Sequence, residues 1–135
     1  LGLSREPIDG GSMTDLGQSR IRQIAIVCKD VARATAFYRD VLGVRFLFAA
    51  GPTLSFFDCG GIRLMLSPSE GQAVGTSVLY YLVTDIEGVA ASLAAKGVTF
   101  VGEPHSIARM PDHDLWLAEF RDSEGNVCAL MEEKR

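Results

Sequence analysis

The side chains best suited to proton transfer gather in one stretch of this sequence, ARMPDHDLW at residues 108–116. His113 stands there between Asp112 and Asp114, and Glu119 follows shortly after. An imidazole titrates nearest to neutral pH, and a neighbouring carboxylate both orients it and raises its basicity. His113 and Glu119 are therefore candidate catalytic residues. With His105 they also make a donor set that could hold a divalent metal. The alternative is that both histidines are solvated in a polar segment. Cys28, Cys59 and Cys128 stand far apart with no CxxC pair, and nothing nearby in sequence suggests a paired base for Cys59 or Cys128. Buried structural thiols fit them better than nucleophiles. Trp116 borders the polar stretch, either as core or as the wall of a binding groove.

Composition narrows the function classes. Hydrophobic residues make up 47% of the chain, charged residues 22%, and the formal net charge is −4. That is the profile of a globular domain with a real apolar core. Polyanion binding needs clustered Lys and Arg, and the basic residues here are scattered, so nucleic acid is not an expected partner. The longest apolar run, Val78 to Val83, is far too short to span a bilayer, so no membrane is expected either. Residues 1–12 lack a signal-peptide core and read as a leader or expression scar before Met13. An odd cysteine count without such a signal points to reduced thiols and a cytoplasmic location.

The elements that must position these residues follow from periodicity. IRQIAIVC at 21–28 reads as a strand. Asp30 caps a helix whose apolar positions are Ala34, Phe37, Val41 and Leu42, and Gly43 closes it. Strands are expected at 44–49, 53–59 and 62–67, with Gly51-Pro52 and Gly60-Gly61 as turns. The polar stretch 68–77 is a linker. The order then restarts: a strand at 78–83, Asp85 as cap, Ile86, Val89, Ala90 and Leu93 as the helix stripe, and Gly97 as its end. A short strand at 98–101, an irregular segment at 102–113, and strands at 115–121 and 126–132 complete the chain.

The restart is an internal repeat. Asp30 and Gly43 are 13 residues apart, Asp85 and Gly97 are 12 apart, and each glycine is followed by Val-Xaa-Phe. The predicted fold is α+β, one domain over 13–135, with modules at 21–67 and 78–132. Each module is a βαβββ unit with one sheet face under its helix and an apolar second face that must also be buried. Two such units would curve into a mainly antiparallel sheet around a cup-shaped groove, the usual setting for a ligand.

Two phrases carry a family resemblance. AFYRDVLG at 36–43 is similar to an FYxxxLG signature, and FRDSEGNVCAL at 120–130 is similar to an F-x-D-P-x-G-N-x-x-x-L signature, with Ser123 in place of proline. Both belong to the vicinal oxygen chelate superfamily, which includes glyoxalase I, bleomycin-resistance proteins, extradiol dioxygenases and methylmalonyl-CoA epimerase. The resemblance spans residues 21–132. It implies paired βαβββ modules, a cup-shaped site, frequent dimerisation, and in active members a divalent metal held by His, Glu or Gln.

Transferred by their offsets from the capping aspartates and the hairpin glycines, the four ligand positions hold Gln23, Met65, Val78 and Ala129. Only Gln23 offers a donor such metals accept. The resemblance therefore implies a degenerate metal site, no metal cofactor, and no direct transfer of metal-dependent chemistry. Strand alternation from those four positions adds Ala25, Val27, Arg63, Tyr80, Leu82, Val127 and Met131 to the groove lining. The resulting ligand-binding set is Gln23, Arg63, Met65, Tyr80, Trp116 and Ala129, with Arg63 able to anchor an acid, or else solvated at the rim. The expected function is binding or sequestration of a small organic molecule by a homodimer. The alternative is an enzyme of lyase, isomerase, epimerase or dioxygenase type, with a metal or a relocated site.

Overall fold

The computed structural model describes residues 17, 20–69, 75 and 77–135. The leader at 1–12 lies outside the described residues, as does most of the linker, at 70–74 and 76. The first module consists of β1 (Gln23–Cys28), α1 (Val31–Ala36), a π-helical turn (Phe37–Val41), β2 (Arg45–Ala50), β3 (Leu54–Cys59) and β4 (Ile62–Pro68). The second consists of β5 (Leu79–Leu82), α2 (Ile86–Ala95), β6 (His105–Arg109), β7 (Asp114–Arg121) and β8 (Val127–Lys134). Each makes one four-stranded sheet, β1-β4-β3-β2 and β5-β8-β7-β6. In both, the first and last strands run parallel and the other pairs antiparallel. The repeat read from the sequence is therefore a repeat of topology.

Both predicted caps form. The Asp30 carboxylate accepts from Arg33 N at 3.0 Å, and that of Asp85 from Gly88 N at 3.1 Å, taking up amides that have no carbonyl within the helix. Gly43 and Gly97 turn the chain with φ of 72° and 96°, a region costly for any side chain. The π-helical turn explains the one-residue difference between the two cap-to-glycine spacings. It places one extra residue in the first helix, closed by Leu42 N donating to Phe37 O at 3.0 Å.

Two expectations need correcting. No strand spans 98–101; only Phe100 bridges to Phe120, while Val98 is buried in the second core. The strand lies instead at His105–Arg109, inside the segment read as irregular. Gly102, at φ 81°, and Pro104 break the first stretch. The second forms because β7 offers its free edge, and its mostly exposed side chains leave no apolar period to read.

Each sheet packs one face on its own helix. Ile26, Cys28, Ala34, Tyr38, Phe57, Leu64 and Leu66 form the first core; Ile86, Ala90, Leu93, Val98, Ala118, Phe120, Cys128 and Leu130 form the second. Phe37 and Leu42 pack against both, so the end of the first helix stitches the cores together.

The polar join is denser. The buried Asp122 carboxylate accepts from Tyr38 Oη at 2.8 Å, from the amides of Glu124 and Asn126 at 2.8 Å each, and from Asn126 Nδ2 at 3.0 Å. Asn126 Nδ2 also reaches Val27 O at 3.2 Å. Glu124, its side chain fully buried, accepts from Asp30 N at 2.8 Å and from Arg33 Nε and Nη2 at 2.8 and 3.0 Å. The β7–β8 turn of the second module thus holds the helix start and helix end of the first.

Burial pushes the Glu124 carboxyl up, but the Arg33 guanidinium, the Asp30 amide and the Ser123 hydroxyl outweigh it and bring it down to about 2. A carboxyl depressed on folding contributes stability above its ordinary value of 4.5 and loses it as pH falls towards 2. The melting temperature of the protein is therefore expected to drop steeply over that interval. Glu124→Gln should be less stable at pH 7, by about 2 kcal/mol, with a flatter acid limb. An unchanged acid limb in the variant would remove Glu124 as its source.

Candidate functional site

The sheet faces turned away from the helices carry the candidate site. On the first sheet, β1 and β4 pair Gln23 with Arg63 and Ala25 with Met65, and β3 pairs Phe56 with Met65 and Asp58 with Arg63. Paired residues point to the same face, so Gln23, Arg63, Met65, Phe56 and Asp58 stand together. The contacts agree. Arg63 Nε donates to Gln23 Oε1 at 2.8 Å, Gln23 Nε2 approaches Met65 Sδ at 3.9 Å, and the guanidinium carbon lies 5.5 Å from the centre of the Phe56 ring. Phe48 stacks on Phe56 with centroids 4.9 Å apart and an angle of 26°.

Phe48 and Phe56 were not among the residues singled out from the sequence. Phe56 could have been found, since it pairs with Met65 across an antiparallel ladder. Phe48 could not. A β-bulge between Phe46 and Phe48 shifts the register, so Phe46 turns into the core opposite Phe57 while Phe48 turns outward.

On the second sheet the same face carries Tyr80 and Leu82 of β5, Ala129 and Met131 of β8, and Glu119 of β7. Ala129 lies between Tyr80 and Glu119 in the ladder and is buried. Val78 precedes β5. Val78, Tyr80 and Leu82 are 39, 55 and 65% exposed, a continuous apolar row open to solvent.

The remaining predicted residues are placed elsewhere. Trp116 shares its face with Ala118 and Phe120, packs against the second core, and carries the Lys134 ammonium 4.0 Å above its ring. It is not on the face of Ala129. His113 sits at the tip of the β6–β7 hairpin, whose Met110 N donates to His113 O at 2.8 Å. Its Nδ1 lies 2.6 Å from Asp112 Oδ1 and its Nε2 4.0 Å from Glu133. Glu119 is six positions along the chain from it, a span of about 20 Å in an extended strand. His105 pairs with Leu117, well away from the tip. The proposed catalytic pair and the three-residue metal set are therefore not brought together. Among the described residues no group of three or more His, Cys, Asp and Glu could hold a metal ion.

The donor set at the four carried-over positions suits a metal poorly. Gln23 Oε1, the single oxygen among those side chains, already accepts from a guanidinium, whose positive charge opposes a cation beside it.

Comparison with known proteins places this arrangement. A family model described as the Glyoxalase/Bleomycin resistance protein/Dioxygenase superfamily matches residues 20–130. The chain belongs to that superfamily. Among solved structures, it is similar to a lactoylglutathione lyase from Agrobacterium tumefaciens at 25% identity and a TM-score of 0.69, covering 84% of this chain and 93% of that one. A superfamily member from Sphaerobacter thermophilus DSM 20745 matches at 23% identity and a TM-score of 0.70, covering 85% and 98%. A structure from the mobile metagenome of V. Pseudocholerae matches at 20% identity and a TM-score of 0.71, covering 87% and 96%. A search of curated proteins found no match. The two phrases that carry the resemblance meet in the join, Tyr38 from the first and Asp122 and Asn126 from the second.

The three thiols are distinct in environment. Burial, with the nearby Glu124 and Asp122 charges, pushes Cys28 up to about 12; burial and Asp122 do the same for Cys128. Cys59 is half-buried and its thiol is raised by burial and by Asp58. In the folded protein at pH 8, a disulfide exchange reagent is expected to titrate Cys59 slowly and to leave Cys28 and Cys128 until the chain is unfolded. Rapid reaction of three thiols would contradict this packing.

Proposed function

We propose that this protein binds and sequesters a small organic molecule on the open faces of its two sheets, without a divalent metal at the position its relatives use. The observation carrying this reading is the Gln23–Arg63–Met65 cluster. At the site where the superfamily resemblance implies metal ligands, a guanidinium is fixed against an amide beside apolar and aromatic side chains. Such a surface offers an apolar body its contact area and one polar group its partner, as small-molecule sites generally do. The row Val78, Tyr80 and Leu82 extends the apolar lining onto the second sheet. That row is also large enough to call for cover, and a homodimer is the arrangement we propose for it. Three free thiols support a cytoplasmic location.

Two measurements test the reading. Elemental analysis after incubation with manganese, iron, nickel and zinc is expected to find well below one metal per chain; stoichiometric metal would overturn the metal-free assignment. A ligand found by thermal-shift screening of small organic molecules is expected to shift the amide resonances of Gln23, Met65, Tyr80 and Ala129. It should be recovered unchanged after prolonged incubation, and its conversion to product would replace sequestration by catalysis.

A further inference from the structure

We infer that the ligand is an aromatic monocarboxylate, its ring laid on the Phe48–Phe56 pair and its carboxylate gripped by the terminal nitrogens of Arg63. This rests on the binding reading above and specifies what the open face of the first sheet selects.

The guanidinium presents five donors in a rigid plane. One of them, Nε–H, is engaged by Gln23 Oε1 at 2.8 Å, which fixes the direction of the fork. The Phe56 ring, 5.5 Å from the guanidinium carbon, supports it from the side. Nη1 and Nη2 make no hydrogen bond or ion pair among the described residues, so an edge of two parallel N–H groups is left for a bidentate acceptor. A carboxylate matches that edge in geometry and in charge.

The neighbouring charges leave room for an anion. Arg45, Asp58 and Arg63 are successive neighbours across β2, β3 and β4, and Asp58 makes no ion pair with either arginine. The row carries one positive charge in excess. Within this row an acid docked on Arg63 meets one repelling carboxylate and two attracting cations, while Glu119 lies on the open face of the other sheet.

The aromatic requirement comes from the bulge. By turning Phe48 outward it creates a stacked pair beside the guanidinium, with Phe48 still 48% exposed. An exposed aromatic face next to an oriented cation favours a planar, apolar body over a flexible aliphatic one. A single carboxylate follows from the single open edge of Arg63, since Asp58 stands between it and Arg45 in the row, and Ala25, Val27, Met65 and Ala129 add no further cation.

The test titrates isotopically labelled full-length protein with naphthalene-2-carboxylate, naphthalene-2-carboxamide and cyclohexanecarboxylate, following amide resonances. The aromatic acid is expected to shift Gln23, Phe48, Phe56 and Arg63, and to bind about tenfold more tightly than either comparison compound. Arg63→Met should abolish the preference for acid over amide, and Arg63→Lys, which keeps the charge but loses the fork, should weaken it. Phe48→Leu should abolish the preference for naphthalene over cyclohexane. If a variant fails to fold, the ranking of the three probes on the unaltered protein still decides. Equal binding of acid and amide in the groove would overturn the inference while leaving groove binding intact. Shifts that avoid the groove altogether, or none at millimolar concentration, would overturn the inference and also count against the binding function.

Discussion

One buried carboxylate holds the molecule together. Asp122 accepts four hydrogen bonds, and each donor solves a different structural problem. The two backbone amides shape the β7–β8 turn, Asn126 Nδ2 links that turn to β1 through Val27 O, and the Tyr38 hydroxyl comes from the far module. A charge so placed costs several kcal/mol in lost hydration unless its acceptor capacity is filled. Here it is filled, and so the charge specifies one relative placement of the modules. Any sliding of one module against the other would strand it. Glu124 repeats the logic two residues later with Arg33 and the Asp30 amide.

This join explains a division of labour. The signature phrases that identify the superfamily contribute the frame, while the open faces hold only what this particular chain places there. Membership therefore constrains the position of the groove far more than its chemistry. Where the resemblance implies metal ligands, an amide and a guanidinium are hydrogen-bonded instead, and the aromatic pair beside them depends on a local bulge in one strand.

Much of the frame was legible in the sequence, because caps, closing glycines and turn residues report backbone conformation directly. Asp30, Gly43, Asp85 and Gly97 act as read. The errors fall where side chains carry no such record. The extra hydrogen-bond spacing in the π-helical turn has no compositional mark, although the unequal cap-to-glycine distances hinted at it. Strand β6 is held by the backbone edge of β7, and its exposed residues show no period. The face of Trp116 could not be read because Leu115, Trp116, Leu117 and Ala118 are all apolar, so alternation gives no contrast. The association of Gln23 with Arg63 was legible by register. Phe48 was not, since a one-residue bulge reverses every inference made from alternation beyond it.

The position of Trp116 also decides how the protein can be observed. It is the single tryptophan of the chain, and it lies on the helix side of β7 under the Lys134 ammonium, which in turn pairs with Glu87 of α2. Its fluorescence therefore monitors the integrity of the second module and the attachment of its last strand, and is poorly placed to register what occupies the opposite face. Optical events on that face fall to Tyr80, an exposed phenol with much weaker emission. An indole signal that stays constant during a titration would describe an undisturbed scaffold, whether the opposite face is empty or filled.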